Sequence, residues 1–198
     1  MEAWLKLFRK DWKEAQEKEK IRYRKGEDFE SLLREGEELL RFYARNANPQ
    51  KVIAVEEEFS CDLGDPQGGE IFPLPIKGVV DLVEEDQEGK IFIVDHKTSK
   101  RRFAEWEIEG SLQLSMYAYA AKEMGWTSSD NVICRLDVLL KTKKPDLVHY
   151  YVLKDKEDFA KLYRIVEGIG EAMQERIIYP RYGYWCLDCP YIEQCREW

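Results

Sequence analysis

The stretch GVVDLVEEDQEGKIFIVDHKTSK, residues 78–100, decides the reading of this chain. Two runs rich in Val, Ile and Phe flank the turn-forming EEDQEG, the pattern of a β-hairpin. Side chains alternate faces along a strand. Ile91, Ile93, Asp95 and Lys97 are therefore expected on one face of the second strand, with Phe92, Val94 and His96 on the other. Val79, Asp81 and Val83 are expected together on the first strand, so the turn brings Asp81 close to Asp95. Two carboxylates that close repel, and both stay ionised when a cation lies between them. Oxygen ligands with no histidine or thiol on that face favour a hard ion, Mg²⁺ or Mn²⁺. Lys97 projects from the same face, where an ammonium can hold an attacking water or steady charge building on a phosphate. Such a set suffices in outline for metal-assisted phosphodiester hydrolysis. D-x-K by itself is a common tripeptide and would read as an incidental surface salt bridge.

The rest of the chain supplies context. Residues 1–46 read as two helices, with Trp4, Leu5, Phe8 and Trp12, then Phe29, Leu32, Leu33, Leu39 and Tyr43, at helical spacing. The charged QEKEKIRYRKGED between them either extends the first helix or connects the two. After the turn-rich NANPQ, VIAVEEEFSCDL reads as a strand with Ile53, Val55 and Phe59 on one face. The loop GDPQGGEIFPLP leads into the hairpin. Residues 105–124 return to helical periodicity, VICRLDVLL and LVHYYVL are two further strands joined by KTKKPD, and Asp155 caps a long amphipathic helix to about Ile178. The tail PRYGYWCLDCPYIEQCREW is rich in cysteine and aromatics. The expected fold class is α+β (mixed α/β), a small central mixed β-sheet flanked by helices with a C-terminal Cys-rich tail.

Bulk numbers bound the function. At 198 residues the chain is one domain, or one domain with an appendage, with room for a sizeable core. With 31 basic against 39 acidic residues, the net charge of −8 excludes a generic nucleic-acid coat but not a local basic groove. The sequence has no apolar signal core and no run long enough to span a membrane, so the expected location is cytoplasmic. Three of the five cysteines crowd near the end. In a cytosolic setting, the C-x-x-C-x-x-x-x-x-C spacing of Cys186, Cys189 and Cys195 points to a metal or cluster rather than disulfides. Cys61, at a strand end, is a candidate fourth ligand, while Cys134 shares a face with Val132 and Leu136 and reads as core.

SLQLSMYAYAA places Gln113 and Tyr117 four apart on one helix face. Taken in order, G-x-x-D, a short hairpin, D-x-K-T and Q-x-x-x-Y resemble the PD-(D/E)xK nuclease superfamily, in particular its RecB-type branch with the four-cysteine exonucleases of CRISPR systems and phages. REGEELLRFY, VIAVEEEF, DVLLKTKKP and WCLDCPYIEQC agree, so the resemblance covers most of the chain. It implies a restriction-endonuclease-like core over residues 1–180, its helices over 1–46, and a separate cysteine tail over 181–198 packed on it. It further implies that Asp81, Asp95 and the backbone carbonyl of His96 bind the divalent metal. Lys97 would be the catalytic lysine, and Gln113 and Tyr117 would steady the site and the DNA strand. The tail would close a four-iron, four-sulfur (4Fe-4S) cluster, with a zinc ion as the alternative, in a structural role.

Where this sequence departs from the family, the expectations narrow. The branch carries a leading Cys-Pro pair and a G-x-x-x-H histidine, the third metal ligand, and the chain reads as beginning after that segment. Of the histidines present, His96 points away from the metal face by alternation and His149 stands in another strand. Glu35 or Glu38 would be a substitute ligand, although acidic residues on an amphipathic helix are usually its solvated face. Lys100, Arg101 and Arg102, with Lys141, Lys143 and Lys144 in a second loop, are candidate DNA contacts. Trp106 reads as a base-stacking platform or, more commonly for its type, as a core anchor. The expected activity is a divalent-metal-dependent deoxyribonuclease, an exonuclease on single strands or DNA ends. A helicase, recombination or CRISPR protein would be its partner. The rival is a catalytically weak or inactive cluster-bearing DNA-binding or assembly subunit. A site-specific endonuclease would need a recognition element that the sequence does not display.

Overall fold

The computed structural model of the protein describes all residues except 1, 20, 22, 67, 178, 180 and 198, and the backbone alone of residue 188. Lys20, Arg22, Gln67, Ile178 (the expected end of the long helix) and Pro180 (the start of the tail) thus lie outside the described residues.

Two helices open the chain, α1 (Glu2–Lys18) and α2 (Phe29–Asn46). Asp28 starts α2 by accepting the Ser31 backbone N–H while the Ser31 hydroxyl accepts that of Asp28, so two otherwise orphaned amides are satisfied. The strands β1 (Lys51–Cys61), β2 (Ile76–Glu85), β3 (Ile91–Ser99), β4 (Val132–Leu140) and β5 (Asp146–Lys154) form one sheet in sequence order. Only the β3–β4 pairing is parallel, which makes the sheet mixed. The expected hairpin is β2–β3. Its turn closes because Asp86 Oδ1 accepts the amides of Glu88 and Lys90, while Gly89 takes a left-handed φ of +80°.

Between β3 and β4 the single helix expected over 105–124 is two, α3 (Glu105–Glu109) and α4 (Leu112–Glu123). Gly110 ends the first, and the Ser111 hydroxyl caps the second by accepting the Leu114 amide. After β5, the Asp155 carboxylate caps α5 (Lys156–Gln174) by accepting the amides of Glu157 and Asp158. A 3-10 turn (Tyr184–Asp188) and a short helix, α6 (Ile192–Arg196), make up the tail.

The core lies on the sheet face covered by α4 and α5, where Leu114, Tyr117, Ala118, Ala121, Phe159 and Leu162 meet Phe59, Val80, Val83, Ile93, Leu136 and Val138. Small alanines on α4 let its backbone come close to the sheet. Cys134 is part of this core, and burial pushes its thiol up to about 12.

Strand alternation fails on both β2 and β1. Val80 and Val83 both face the core, although they are three apart, so β2 changes face between them. On β1 the register slips between Val52 and Ala54, and Glu56 takes a left-handed φ of +49°. An inserted residue flips every later side chain to the other face. The slip separates Ile53 from Val55 and Glu56 separates Val55 from Phe59, so the three do not share a face as expected: Phe59 is core, whereas Val55 is 59% exposed on the opposite side. Val79 likewise departs from Val83, being partly exposed.

A candidate metal and phosphate site where two strands part

The face change in β2 falls at Asp81. The β2–β3 ladder runs from Glu85↔Ile91 to Leu82↔Val94 and stops there, whereas β3 stays paired to β4 as far as Ser99↔Leu140. Past that point the amide of His96 lacks a β2 carbonyl. Asp81 fills the vacancy in the ladder: its Oδ2 accepts the His96 N–H at 2.7 Å. The carboxylate of Asp81 therefore reaches into the gap between the strands, which simple alternation from Val79 and Val83 does not predict.

Asp95 is the next residue along β3 toward the ladder and is 1% exposed. Its Oδ1 accepts from Lys97 Nζ at 2.8 Å and from Gln113 Nε2 at 3.2 Å. The same Gln113 amide donates to the Tyr117 hydroxyl at 2.8 Å, one helical turn on along α4. Oδ2 of Asp95 is buried and has no hydrogen-bond partner among the described residues. Burial is the main force on this carboxyl and pushes its pKa up; Lys97 opposes that shift and the charge of Asp81 adds to it. A buried carboxylate oxygen left unpaired is costly unless something else satisfies it. The structure thus gathers Asp95, Lys97, Gln113 and Tyr117 into direct contact and sets Asp81 on the neighbouring amide.

Two acidic side chains, one with a free buried oxygen, match the hard-donor chemistry of Mg²⁺ or Mn²⁺. Among the described residues, no group of three or more His, Cys, Asp or Glu side chains is gathered to hold a metal. Neither Glu35 nor Glu38 therefore completes a third ligand position here. Cys186, Cys189 and Cys195 do not form such a group either. Cys186 Sγ accepts the Gly183 amide at 3.4 Å, and the Cys195 carbonyl accepts the Tyr182 hydroxyl at 3.1 Å. Cys61 packs against the core, and burial pushes its thiol up to about 11, away from the thiolate a ligand needs.

The basic residues beyond β3 already have acidic neighbours. Lys100 Nζ lies 3.6 Å from Glu27, Arg101 grips Glu107 through both terminal nitrogens, and Arg102 pairs with Asp146. The Arg101 fork holds Glu107 down to about 2. All three bases are exposed, and surface pairs of this kind contribute little, so a phosphate can replace the carboxylate. Trp106 is 73% exposed, which overturns its reading as a core anchor.

The opposite face of the sheet holds a charged cluster that the sequence reading did not single out. Arg135 grips Asp137 with Nε and Nη2, at 2.8 and 3.0 Å, and reaches Glu84 with Nη1. Glu84 and Asp137 are both buried. His149 Nδ1 contacts Asp137, and the Tyr43 hydroxyl meets His96 Nε2 at 3.0 Å. The available signal was a strand R-L-D on β4 with Glu84, the first of the Glu-Glu pair that ends β2. An apolar groove of about 560 Å³ runs alongside, from Trp4, Val52 and Val55 to Asp81 and Lys97.

The solved structure of SSO0001 is similar at 18% identity and a TM-score of 0.49, over 84% of this chain and 71% of that one. A solved structure from Eubacterium rectale, provisionally named an exonuclease, is similar at 16% identity and a TM-score of 0.52, over 93% of this chain and 66% of that one. The second likeness is one of fold, an α+β architecture around a mixed sheet. This chain spans about two thirds of that protein's length. None of the curated proteins matches the sequence. A family model described as the PD-(D/E)XK nuclease superfamily matches residues 1–196, nearly the whole chain. The motif order read from the hairpin and α4 and the match over the full length agree: the chain belongs to the PD-(D/E)XK nuclease superfamily.

Proposed function

We propose that the protein is a divalent-metal-dependent deoxyribonuclease of the RecB type, acting as an exonuclease on single strands or DNA ends. The observation that carries this reading is the Asp95 carboxylate. One oxygen is held by Lys97 and Gln113, the other is buried and unpaired among the described residues, and Asp81 stands on the adjacent amide. Asp81, Asp95 and the His96 carbonyl would hold Mg²⁺ or Mn²⁺; when bound, the ion supplies an acidified water and neutralises charge on the phosphate. Lys97, partly exposed while anchored to Asp95, offers its ammonium to the attacking water or to a phosphate oxygen. Gln113 and Tyr117 act as a brace: the amide keeps the Asp95 oxygen fixed and the hydroxyl keeps the amide fixed. Lys100, Arg101 and Arg102 exchange their carboxylate partners for backbone phosphates.

Residues 1–180 form the nuclease domain in this reading, and residues 181–198 a tail that takes a structural 4Fe-4S cluster or zinc. The C-x-x-C-x-x-x-x-x-C spacing supports the tail assignment, and loading would have to draw its thiols together. Iron and zinc analysis of anaerobically purified protein tests it; metal-free, colourless and stable protein overturns it.

A second reading, a weakly catalytic DNA-binding or assembly subunit, has one observation in its favour: no third ligand joins the two aspartates among the described residues. Digestion of end-labelled single- and double-stranded DNA with Mn²⁺ separates the two. The nuclease reading expects progressive shortening that Lys97→Ala abolishes. Binding without cleavage selects the subunit, and cleavage untouched by Lys97→Ala contradicts the site.

A further inference from the structure

His96 stands between Asp95 and Lys97 with its ring on the far face of the sheet, and its surroundings there are specific. Tyr43 of α2 meets Nε2 at 3.0 Å, with the two rings edge to face at 84°. With Tyr43 as donor, Nε2 is the acceptor and Nδ1 carries the proton. Nδ1 lies 3.9 Å from Asp81 Oδ2, the same oxygen that accepts the His96 amide. Asp137 Oδ2 lies 3.9 Å from Nε2 and is itself clamped by the Arg135 fork, which also binds Glu84 on β2.

The ladder between β2 and β3 has ended at Leu82↔Val94. No further β2–β3 ladder pair therefore sets where Asp81 sits relative to Asp95, and the contacts made by His96 take over that task. We propose that Tyr43 and His96 form a positioning pair for the cation site: Tyr43 fixes the His96 ring from behind the sheet, and His96 thereby fixes its own amide and carbonyl and the Asp81 carboxylate. The inference rests on the proposed cation-binding role of Asp81 and Asp95. It assigns to α2 a part in metal affinity although it places no ligand on that helix.

The test is a double-mutant cycle read by calorimetric titration with Mn²⁺, alongside thermal melts without metal. Tyr43→Phe removes one oxygen from a half-buried side chain, and outer-shell changes of this kind weaken metal binding by about tenfold. The inference expects that loss with the metal-free melt nearly unchanged. It expects almost no further loss when Tyr43→Phe is added to His96→Ala, since both cut the same link. His96→Gln, which keeps an acceptor within reach of Tyr43, should recover part of the affinity. Wild-type Mn²⁺ affinity in Tyr43→Phe, or additive losses in the double variant, overturns the inference alone. Failure of the wild type to bind Mn²⁺ overturns the reading beneath it as well.

Discussion

The two faces of the sheet carry charged clusters of opposite character. On the far face every member of the Glu84–Arg135–Asp137–His149 set is engaged, and Arg135 alone makes three hydrogen bonds to carboxylates. On the α4 face, Asp95 is as deeply buried but keeps one oxygen without a partner among the described residues. A saturated buried network is what a structural or positioning role needs, because it locks three strands in register. An unsaturated buried carboxylate is poor for stability, and the fold retains it only against that cost. The contrast separates the face that holds the chain from the face prepared for a ligand.

The largest expected effect sharpens the α4 face. Lys97→Ala or Asp95→Ala should lower metal-dependent cleavage by about 10²–10³-fold, the scale for removing a preorganised charge-stabilising group, measured as single-turnover rates at saturating Mn²⁺.

The far face should answer in stability instead. Arg135→Ala strands two buried carboxylates, and breaking a buried pair this way costs about 3–5 kcal/mol. Urea denaturation should show it directly. An effect near zero would mean the far-face network is not the clamp that the contrast requires.

Asp95→Asn should move the other way. Because the folded-state pKa of Asp95 is raised above its unfolded value, its contribution is favourable below the unfolded pKa, near 4, and is lost as pH rises through the folded pKa. Above that window the ionised carboxylate burdens the folded state. At pH 7 the metal-free Asn variant should therefore melt about 2–4 °C above wild type, as expected for a gain near 1 kcal/mol in a chain of this size. Below about pH 4 the difference should vanish. A variant less stable than wild type at pH 7 would show that Lys97 already compensates Asp95 in full.

The smallest expected effect concerns the brace. Gln113→Ala frees Asp95 Oδ1 from one of its two donors and should weaken Mn²⁺ binding by about tenfold or less with Lys97 still in place. A loss as large as that of Lys97→Ala would give Gln113 a direct catalytic part.

How much of this was legible beforehand follows from the length scale of each signal. Period-two alternation along Ile91–Lys97 and the four-residue spacing of Gln113 and Tyr117 are local, and both put side chains where the structure has them. The helices, the hairpin and the Asp155 cap were readable for the same reason. Asp81 was found by type but not by placement. The bulge at Val52–Ala54 and the left-handed Glu56 are set by pairing with β2, which no local pattern records. The far-face cluster was hidden more deeply. Arg135 and Asp137 look like a solvated stripe until the parallel β3–β4 pairing and the neighbouring β2 bring Glu84 to them. His96 was expected to point away from the metal face, yet its Nδ1 lies 3.9 Å from Asp81 Oδ2, and its link to Tyr43 spans 53 residues of sequence. The single helix over 105–124 failed at Gly110, a residue whose helix-ending role was visible in the sequence.

The most direct measurement of the central claim is calorimetric titration of Mn²⁺ into wild type and Asp95→Asn at pH 7. The account predicts one ion bound by the wild type and affinity at least tenfold weaker in the variant. Equal binding by both proteins would mean that the unpaired oxygen of Asp95 is not a metal ligand, and would contradict the assignment of the site.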